Sequence, residues 1–217
     1  MLRENLFIHI PRTGGTSIHK SLGSLASHRP DHTLAKDARG EFPNSFYYTF
    51  MRNPYTRMIS CYECQFPRTK KHHYHLPKES QDITLERYVE IIVDGYHDNY
   101  DSAGSPNLQH WRPQTDWIFD DDDCLIVDYI GHTETLEKDV NEIGRIIGAG
   151  TITTPPPPKK GFAPKPSYMV PDKFDIFYVN RSDWRYPGNY RHYFNDDTRK
   201  KVEKYYEKDI DFLKVKF

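Results

Sequence analysis

A short apolar run that breaks into a glycine pair constrains this chain more than any other stretch. Residues 7–18 read Phe-Ile-His-Ile-Pro-Arg-Thr-Gly-Gly-Thr-Ser-Ile, a pattern that predicts a strand, a tight loop and the start of a helix. Gly14 and Gly15 let the backbone curl with its N–H groups pointing inward, and the helix adds the positive end of its dipole. Thr16 and Ser17 supply hydroxyl donors. We therefore expect the loop to hold a phosphate or sulfate group.

The residues around the glycines distinguish this loop from a Walker A motif. The Gly-Lys-[Ser/Thr] ending that reaches nucleotide phosphates and Mg²⁺ is absent, which argues against an NTPase. The segment resembles the 5′-phosphosulfate loop of sulfotransferases that use 3′-phosphoadenosine 5′-phosphosulfate (PAPS), whose usual form is Pro-Lys-Thr-Gly-Gly-Thr-Ser. Arg12 stands here in place of the usual lysine. Taken alone, the loop could also be an ordinary strand-to-helix turn that uses glycine for its backbone freedom.

A second stretch weakens the explanation as an ordinary turn. Residues 46–51 predict a buried strand, and Asn53 and Pro54 are typical of a helix cap and first turn. This order puts Arg52 at the carboxyl end of the strand and Ser60 two turns into the helix. A guanidinium fork together with a hydroxyl suits a phosphomonoester dianion. The Arg-Asn-Pro, Arg, Ser order resembles the 3′-phosphate site of the same sulfotransferases.

Composition indicates one domain without a general charge bias. A length of 217 residues suits a single domain over 1–217. The formal net charge of −1 gives no general attraction to nucleic acid or to membranes, so anion recognition must be local. The cysteines, Cys61, Cys64 and Cys124, are too few for a secreted disulfide framework, and they lack the second pair of a zinc site. The sequence thus predicts a protein of a reducing compartment that holds no metal.

The start of the chain bears on its expected location. The first predicted strand begins within a few residues of Met1, without a signal peptide or an apolar run that could span a bilayer. Golgi relatives of the resembled family carry a membrane anchor and a stem. The resemblance therefore favours a cytoplasmic enzyme of bacterial or viral origin, and a Golgi-lumen enzyme only where an N-terminal anchor has been removed.

Hydrophobic periodicity predicts the remaining elements. The expected elements are helices at 17–25, 34–39, 54–65, 84–93, 133–147 and 196–213 and a further strand at 124–130. Residues 151–166 are rich in proline and are expected to form an extended surface connector. Residues 109–117 resemble a substrate-side segment of carbohydrate sulfotransferases, although a core helix with Trp111 and Trp117 buried fits equally well.

Strands that are each followed by an anion-binding helix start indicate one fold class. The expected fold is α/β, with a P-loop-type parallel β-sheet flanked by helices and a ligand beyond the carboxyl ends of the strands. The resemblance implies the sulfotransferase fold with PAPS as co-substrate and no metal. The residues that it assigns to PAPS are Arg12, Thr13, Gly14, Gly15, Thr16 and Ser17 for the 5′-phosphosulfate, Arg52 and Ser60 for the 3′-phosphate, and Arg181 and Tyr190 in a late loop that covers the nucleotide.

The reaction needs a cation for the leaving phosphate and a base for the acceptor hydroxyl. Arg12 is expected to stabilise the charge that develops on the bridging oxygen, although an arginine cannot readily donate a proton. The resemblance to relatives that sulfate sugars, which carry a catalytic histidine before a helix, favours His32 as the general base and His28 as the second candidate. An exposed loop histidine without a catalytic role is the alternative for His32.

Two other function classes compete with transfer of a sulfuryl group to a saccharide hydroxyl. A phosphotransferase that uses ATP would need a lysine and Mg²⁺ ligands around the first loop, and its activity would depend on Mg²⁺. A nucleic-acid-binding module would use the basic loop at 68–78, and its affinity would fall steeply with salt. The preferred interpretation is the sulfotransferase, with an acceptor that carries a free hydroxyl and with no nucleic-acid partner and no membrane span.

Overall fold

The protein contains two compact units. The structure, a computed structural model, describes residues 4–23, 33–65, 84–93, 110–148, 152 and 190–217. The first unit comprises Met1–Asn53, Arg112–Pro155 and Tyr206–Lys216, and the second comprises Pro54–Trp111, Pro156–Tyr205 and Phe217. The prediction of a single domain over 1–217 stays a prediction. The proposed connector at 151–166 lies outside the described residues, apart from Ile152.

A parallel sheet organises the first unit. Its strands are β1 (Asn5–Ile8), β2 (Phe46–Met51) and β3 (Tyr129–His132), and they lie in the order β1-β2-β3. The register pairs Ile8 with Thr49 and Met51 with His132. The carboxyl ends of all three strands therefore lie at one edge of the sheet, and the chain segments that follow them meet there. The α/β class and the parallel sheet are confirmed.

The helices take the following bounds in chain order. In the first unit they are α1 (Gly15–Leu22), α2 (Ala35–Glu41), α5 (Leu136–Ile146) and α7 (Glu207–Leu213), and in the second unit they are α3 (Pro54–Gln65), α4 (Leu85–Val93) and α6 (Asp196–Tyr205). Short 3₁₀ turns occupy Thr115–Trp117, Thr133–Thr135 and Tyr190–Tyr193.

Alternation along the strands divides the core of the first unit into two layers. Leu6 and Ile8 of β1 contribute to a buried cluster with α2 and the 117–127 segment. Phe7, between them, points to the other face and joins a cluster formed with α1 and α5. Because each strand buries both faces, the strands read as continuous apolar runs rather than as alternating ones. Helices therefore flank the sheet on both sides.

In the second unit the predicted apolar face of α4 is buried. Leu85, Tyr88, Val89 and Ile92 are all buried, as their helical spacing predicts. The Trp111 indole N–H donates to the Tyr88 hydroxyl. Among the described residues, no helix is both long and apolar enough to cross a bilayer.

The predicted strand at 124–130 is wrong in its first half. The paired strand begins at Tyr129, whereas Leu125 forms an isolated antiparallel bridge with Phe119. The Ile126 N–H donates to the Ile118 carbonyl at 2.8 Å, so the chain here folds back on its own preceding segment. Burial of Ile126 in the core produces the apolar run that resembles a strand in the sequence.

The predicted helix at 196–213 is divided into α6 and α7 at Tyr206. The backbone of Tyr206 leaves helical geometry at φ −107° and ψ 28°, and its side chain is fully buried. No proline or glycine marks this break, and the apolar spacing continues through it. Periodicity alone therefore could not reveal the interruption.

A buried phenol in the sheet gives a test of the core. The side chain of Tyr48 is fully buried, and within the described part of the chain its hydroxyl has no hydrogen-bond partner. Burial also raises the pKa of this phenol. Because an unpaired buried hydroxyl is costly, Tyr48→Phe is expected to increase the free energy of unfolding by about 1 kcal/mol, measured by urea denaturation.

The neighbouring residue in the same strand provides the matched control. The Tyr47 hydroxyl donates to the Phe42 carbonyl at 2.8 Å. Tyr47→Phe removes this bond and should lower the free energy of unfolding by about 1 kcal/mol. A loss of stability in Tyr48→Phe as large as that in Tyr47→Phe would contradict the assignment of an unpaired Tyr48 hydroxyl.

Candidate active site

The loop after β1 turns sharply through two left-handed residues. Arg12 has φ +70° and Gly14 has φ +90°. Between them, Thr13 is fully buried, and its hydroxyl donates to the Ile10 carbonyl at 2.8 Å. The Thr13 side chain therefore holds the shape of the loop, and the group that it can offer to a ligand is its backbone N–H.

The two glycines of the loop are needed for different reasons. Gly14 is the N-cap of α1 in a left-handed conformation that disfavours a side chain. At Gly15, a Cβ atom would lie 1.9 Å from His9 Nε2, so a larger residue would collide with the imidazole. That imidazole stacks on Phe7 with ring centroids 5.5 Å apart. His9 is thus a neighbour of the loop that the sequence pattern alone does not reveal.

The groups presented by this loop are cationic or hydrogen-bond donors. No side chain caps the start of α1, and its first turn contains no acidic residue. Thr16 is exposed, whereas Ser17 and Arg12 are half-buried. Backbone N–H groups at a helix start, hydroxyls and a guanidinium form a donor set that fits the negatively charged phosphosulfate of PAPS.

Arg52 lies beside this loop. Its side chain is 8% exposed, and its Nη1 donates to the Arg12 carbonyl at 3.3 Å. The register of β1 and β2 explains the proximity, since both residues follow the carboxyl ends of paired strands. Ser60, which is buried, belongs to α3 in the second unit. The pairing of Ser60 with Arg52 around one phosphate stays a prediction.

Thr133 connects the first loop to the end of β2. Its Oγ1 lies 3.0 Å from the Thr13 carbonyl oxygen and 3.1 Å from that of Met51. The next residue, Glu134, accepts a hydrogen bond from the Asn53 N–H at 2.8 Å. The segment after β3 therefore holds the segments after β1 and β2 in place. A hydroxyl directly after a buried strand is the sequence signal that could have pointed to Thr133.

Asp139 of α5 shapes this same connecting segment. Its Oδ2 accepts hydrogen bonds from the His132 N–H at 2.7 Å and from the Thr135 hydroxyl at 2.6 Å. The Asp139 side chain is largely buried, so these bonds compensate a carboxylate that would otherwise be costly to bury. The turn Thr133–Thr135 is therefore fixed from below by the helix that follows it.

Tyr190 lies in an aromatic cluster of the second unit. It is 5% exposed and stacks on Tyr55 with centroids 5.4 Å apart and an interplanar angle of 14°. Phe217 packs against both rings, and the Arg191 guanidinium lies 5.9 Å from the Tyr190 ring centroid. Its predicted role as a cover for the nucleotide stays a prediction. Arg181, the other candidate for that role, lies outside the described residues.

Several other predicted residues also lie outside the described ranges. These are His28, His32 and the basic loop at 68–78. In the segment at 109–117, both tryptophans are buried, at 3% exposure for Trp111 and none for Trp117, as the core alternative expects. Within the described ranges, no group of three or more His, Cys, Asp or Glu residues could hold a metal ion.

Comparison with known proteins identifies the family. A family model described as "Sulfotransferase family" matches residues 6–215. Neither the curated proteins nor the solved structures gave a match. Membership of this family implies sulfuryl transfer and PAPS as the sulfate donor, which agrees with the donor set of the loop at 12–17. Because the match covers nearly the whole chain, including all three strands and the loops at their carboxyl ends, this protein belongs to the sulfotransferase family.

Proposed function

We propose that this enzyme transfers the sulfuryl group of PAPS to a hydroxyl of a saccharide, with a histidine as general base. The observation that carries the proposal is the hydrogen bond from Arg52 Nη1 to the Arg12 carbonyl. It supports two anion-binding elements side by side at one edge of the sheet, as a nucleotide with phosphates at both the 5′ and 3′ positions requires. A nucleoside 5′-triphosphate would have no use for the second element.

The proposed assignments at the 5′ end concern the charge of the leaving group. PAPS supplies a sulfuryl group that is activated by its bond to the 5′-phosphate. Arg12, Thr16, Ser17 and the backbone N–H groups of Gly14 and Gly15 bind this end and stabilise the negative charge that grows on the bridging oxygen. Arg12 acts by its fixed positive charge, because its guanidinium does not give up a proton in the working pH range.

At the 3′ end, the proposal assigns the phosphate to Arg52 and Ser60. A guanidinium can give a phosphate two parallel hydrogen bonds, which distinguishes a phosphomonoester from a hydroxyl. Burial strengthens such a bond, because less water competes for the guanidinium. Arg52 therefore provides selectivity for the 3′-phosphate rather than general attraction to anions.

The acceptor side of the proposal rests on His32. A neutral imidazole takes the proton of the acceptor hydroxyl while the oxygen forms its bond to sulfur and the bond from sulfur to the bridging oxygen breaks. His28 is the second candidate for this role. The saccharide acceptor is proposed from the resemblance of residues 109–117 to carbohydrate sulfotransferases. In that segment Asp116 is exposed and could contact an acceptor, whereas Gln114 and Thr115 are buried.

Binding of the product nucleotide tests the proposal directly. 3′-Phosphoadenosine 5′-phosphate is expected to raise the melting temperature of the protein in the presence of EDTA, because the donor set needs no metal to bind it. By linkage, a ligand at about 100 times its Kd stabilises the folded state by about 2.7 kcal/mol. The measurement is a thermal-shift titration, with ATP and Mg²⁺ as the comparison ligand.

The comparison ligand separates the two enzyme classes. Stabilisation by ATP with Mg²⁺ but not by the 3′-phosphorylated nucleotide would contradict the proposal and favour a phosphotransferase. A screen of hydroxyl acceptors with radiolabelled PAPS then identifies the acceptor class. Transfer to small alcohols or tyrosine peptides without transfer to any saccharide would overturn the saccharide assignment while leaving the donor assignment intact.

A further inference from the structure

The backbone of Arg52 is held on both sides by one buried side chain. The Arg52 N–H donates to Gln114 Oε1 at 2.8 Å, and Gln114 Nε2 donates to the Arg52 carbonyl at 2.7 Å. Gln114 is fully buried. Because the two bonds fix the peptide groups before and after the Arg52 Cα, they determine the point and direction from which the guanidinium side chain departs.

Gln114 is held in turn by a buried carboxylate. Asp209 Oδ2 accepts hydrogen bonds from the Gln114 N–H at 2.8 Å and from Gln114 Nε2 at 3.3 Å. Asp209 Oδ1 accepts from the Thr115 N–H and the Thr115 hydroxyl, both at 2.8 Å. Asp209 is fully buried on α7. Two acceptors face Nε2 and one donor faces Oε1, so the amide has one favourable orientation.

A purely structural anchor would not require this chemistry. An ionised carboxylate is costly to bury even when it is hydrogen-bonded, and apolar residues of similar volume often stabilise a core at least as well. In this network the polar bonds lead to a single output, which is the geometry of the Arg52 peptide groups. Groups that bind phosphate by paired hydrogen bonds lose affinity when they are displaced by as little as about 1 Å.

We propose that Gln114, oriented by Asp209, is a positioning residue that preorganises Arg52 for a ligand phosphate. The inference rests on the proposed function, in which that ligand is the 3′-phosphate of the nucleotide. Gln114 itself makes no contact with the ligand. It acts through the backbone of Arg52, so its removal should weaken recognition of the 3′-phosphate alone.

The test compares two nucleotides that differ in that phosphate. Gln114→Met keeps the length of the side chain and removes its hydrogen bonds. We expect it to weaken binding of 3′-phosphoadenosine 5′-phosphate by about tenfold, while binding of adenosine 5′-phosphate changes less than about twofold. Isothermal titration calorimetry of both nucleotides gives the ratio, and circular dichroism checks that the variant is folded.

Thr115→Val is the matched control within the same network. It removes one hydrogen bond to Asp209 and does not touch Arg52. It should lower stability without changing the ratio of the two affinities. Asp209→Asn serves as a second variant that retains side-chain volume, and it should change the ratio in the same direction as Gln114→Met. Equal losses for the two nucleotides in Gln114→Met or in Asp209→Asn would overturn the inference.

A double-mutant comparison separates positioning from an independent effect. If Gln114 acts through Arg52, adding Gln114→Met to Arg52→Ala should cause no further loss of affinity for the 3′-phosphorylated nucleotide. A further tenfold loss would show that Gln114 acts by another route. Should the wild-type protein not prefer the 3′-phosphorylated nucleotide, the proposed function fails, and the inference fails with it. A preference that persists in Gln114→Met removes the inference alone.

Discussion

His32→Ala is expected to lower the turnover number by about 10² to 10⁴, with the affinity for PAPS nearly unchanged. The physical reason is that the acceptor hydroxyl must lose its proton as its oxygen bonds to sulfur, and a neutral imidazole accepts that proton. Steady-state kinetics with the acceptor found in the screen, together with a direct binding measurement for the nucleotide, would test both halves of the expectation.

The pH profile adds a second readout for the same residue. Wild-type turnover should fall on the acid side, because a protonated imidazole cannot accept a proton, and this limb should be lost in His32→Ala. His28→Ala is the matched control, since His28 precedes the same helix, α2. Loss of turnover in His28→Ala alone would move the base to His28. If neither substitution matters, an exposed carboxylate such as Glu41 or Asp116 becomes the candidate.

Arg52→Ala has the second largest expected effect. It should weaken binding of 3′-phosphoadenosine 5′-phosphate by about 1.5 to 3 kcal/mol, the range of a hydrogen bond to a charged group. Binding of adenosine 5′-phosphosulfate, which lacks the 3′-phosphate, should be affected much less. Calorimetric titration of the wild-type and variant proteins with both nucleotides provides the comparison.

Two further variants show whether the charge or its position matters. Arg52→Lys keeps the positive charge without the guanidinium fork, so its affinity should lie between those of wild type and Arg52→Ala. Arg145→Ala removes an exposed cation that pairs with Glu142 on α5 and should leave both affinities unchanged. A similar loss for both nucleotides in Arg52→Ala would instead assign Arg52 to folding or to general electrostatics.

Elements with local signals at both ends could be predicted from the sequence. The helix at 54–65 and the strand at 46–51 match the structure, because Asn53 and Pro54 mark the boundary between them. The break at Tyr206 could not be predicted, since no residue there interrupts the helical pattern. The turn that returns Leu125 to Phe119 depends on a contact between segments, which periodicity does not report.

The same distinction holds for the candidate site. The loop at 12–17 and Arg52 stand out because their residue types suit phosphate by themselves. Gln114 and Asp209 lie 95 positions apart, and each becomes informative only when the other is seen beside it. One local signal for Asp209 was present, namely a carboxylate among the apolar positions of an amphipathic helix. Such a residue is a reason to search for a distant partner.

The parallel sheet imposes a particular order of events on folding. Residues paired between β1 and β2 are separated by 41 positions, and those between β2 and β3 by 81. In a simple polymer estimate, closing loops of these lengths costs about 3 and 4 kcal/mol of chain entropy, apart from a constant, before any contact compensates for it. Nucleation is therefore the slow event, and the topology belongs among slow folders. Once β1 and β2 have paired, the remaining half of the chain adds to an existing template, and the Arg52 segment reaches its final geometry last, when Asp209 arrives.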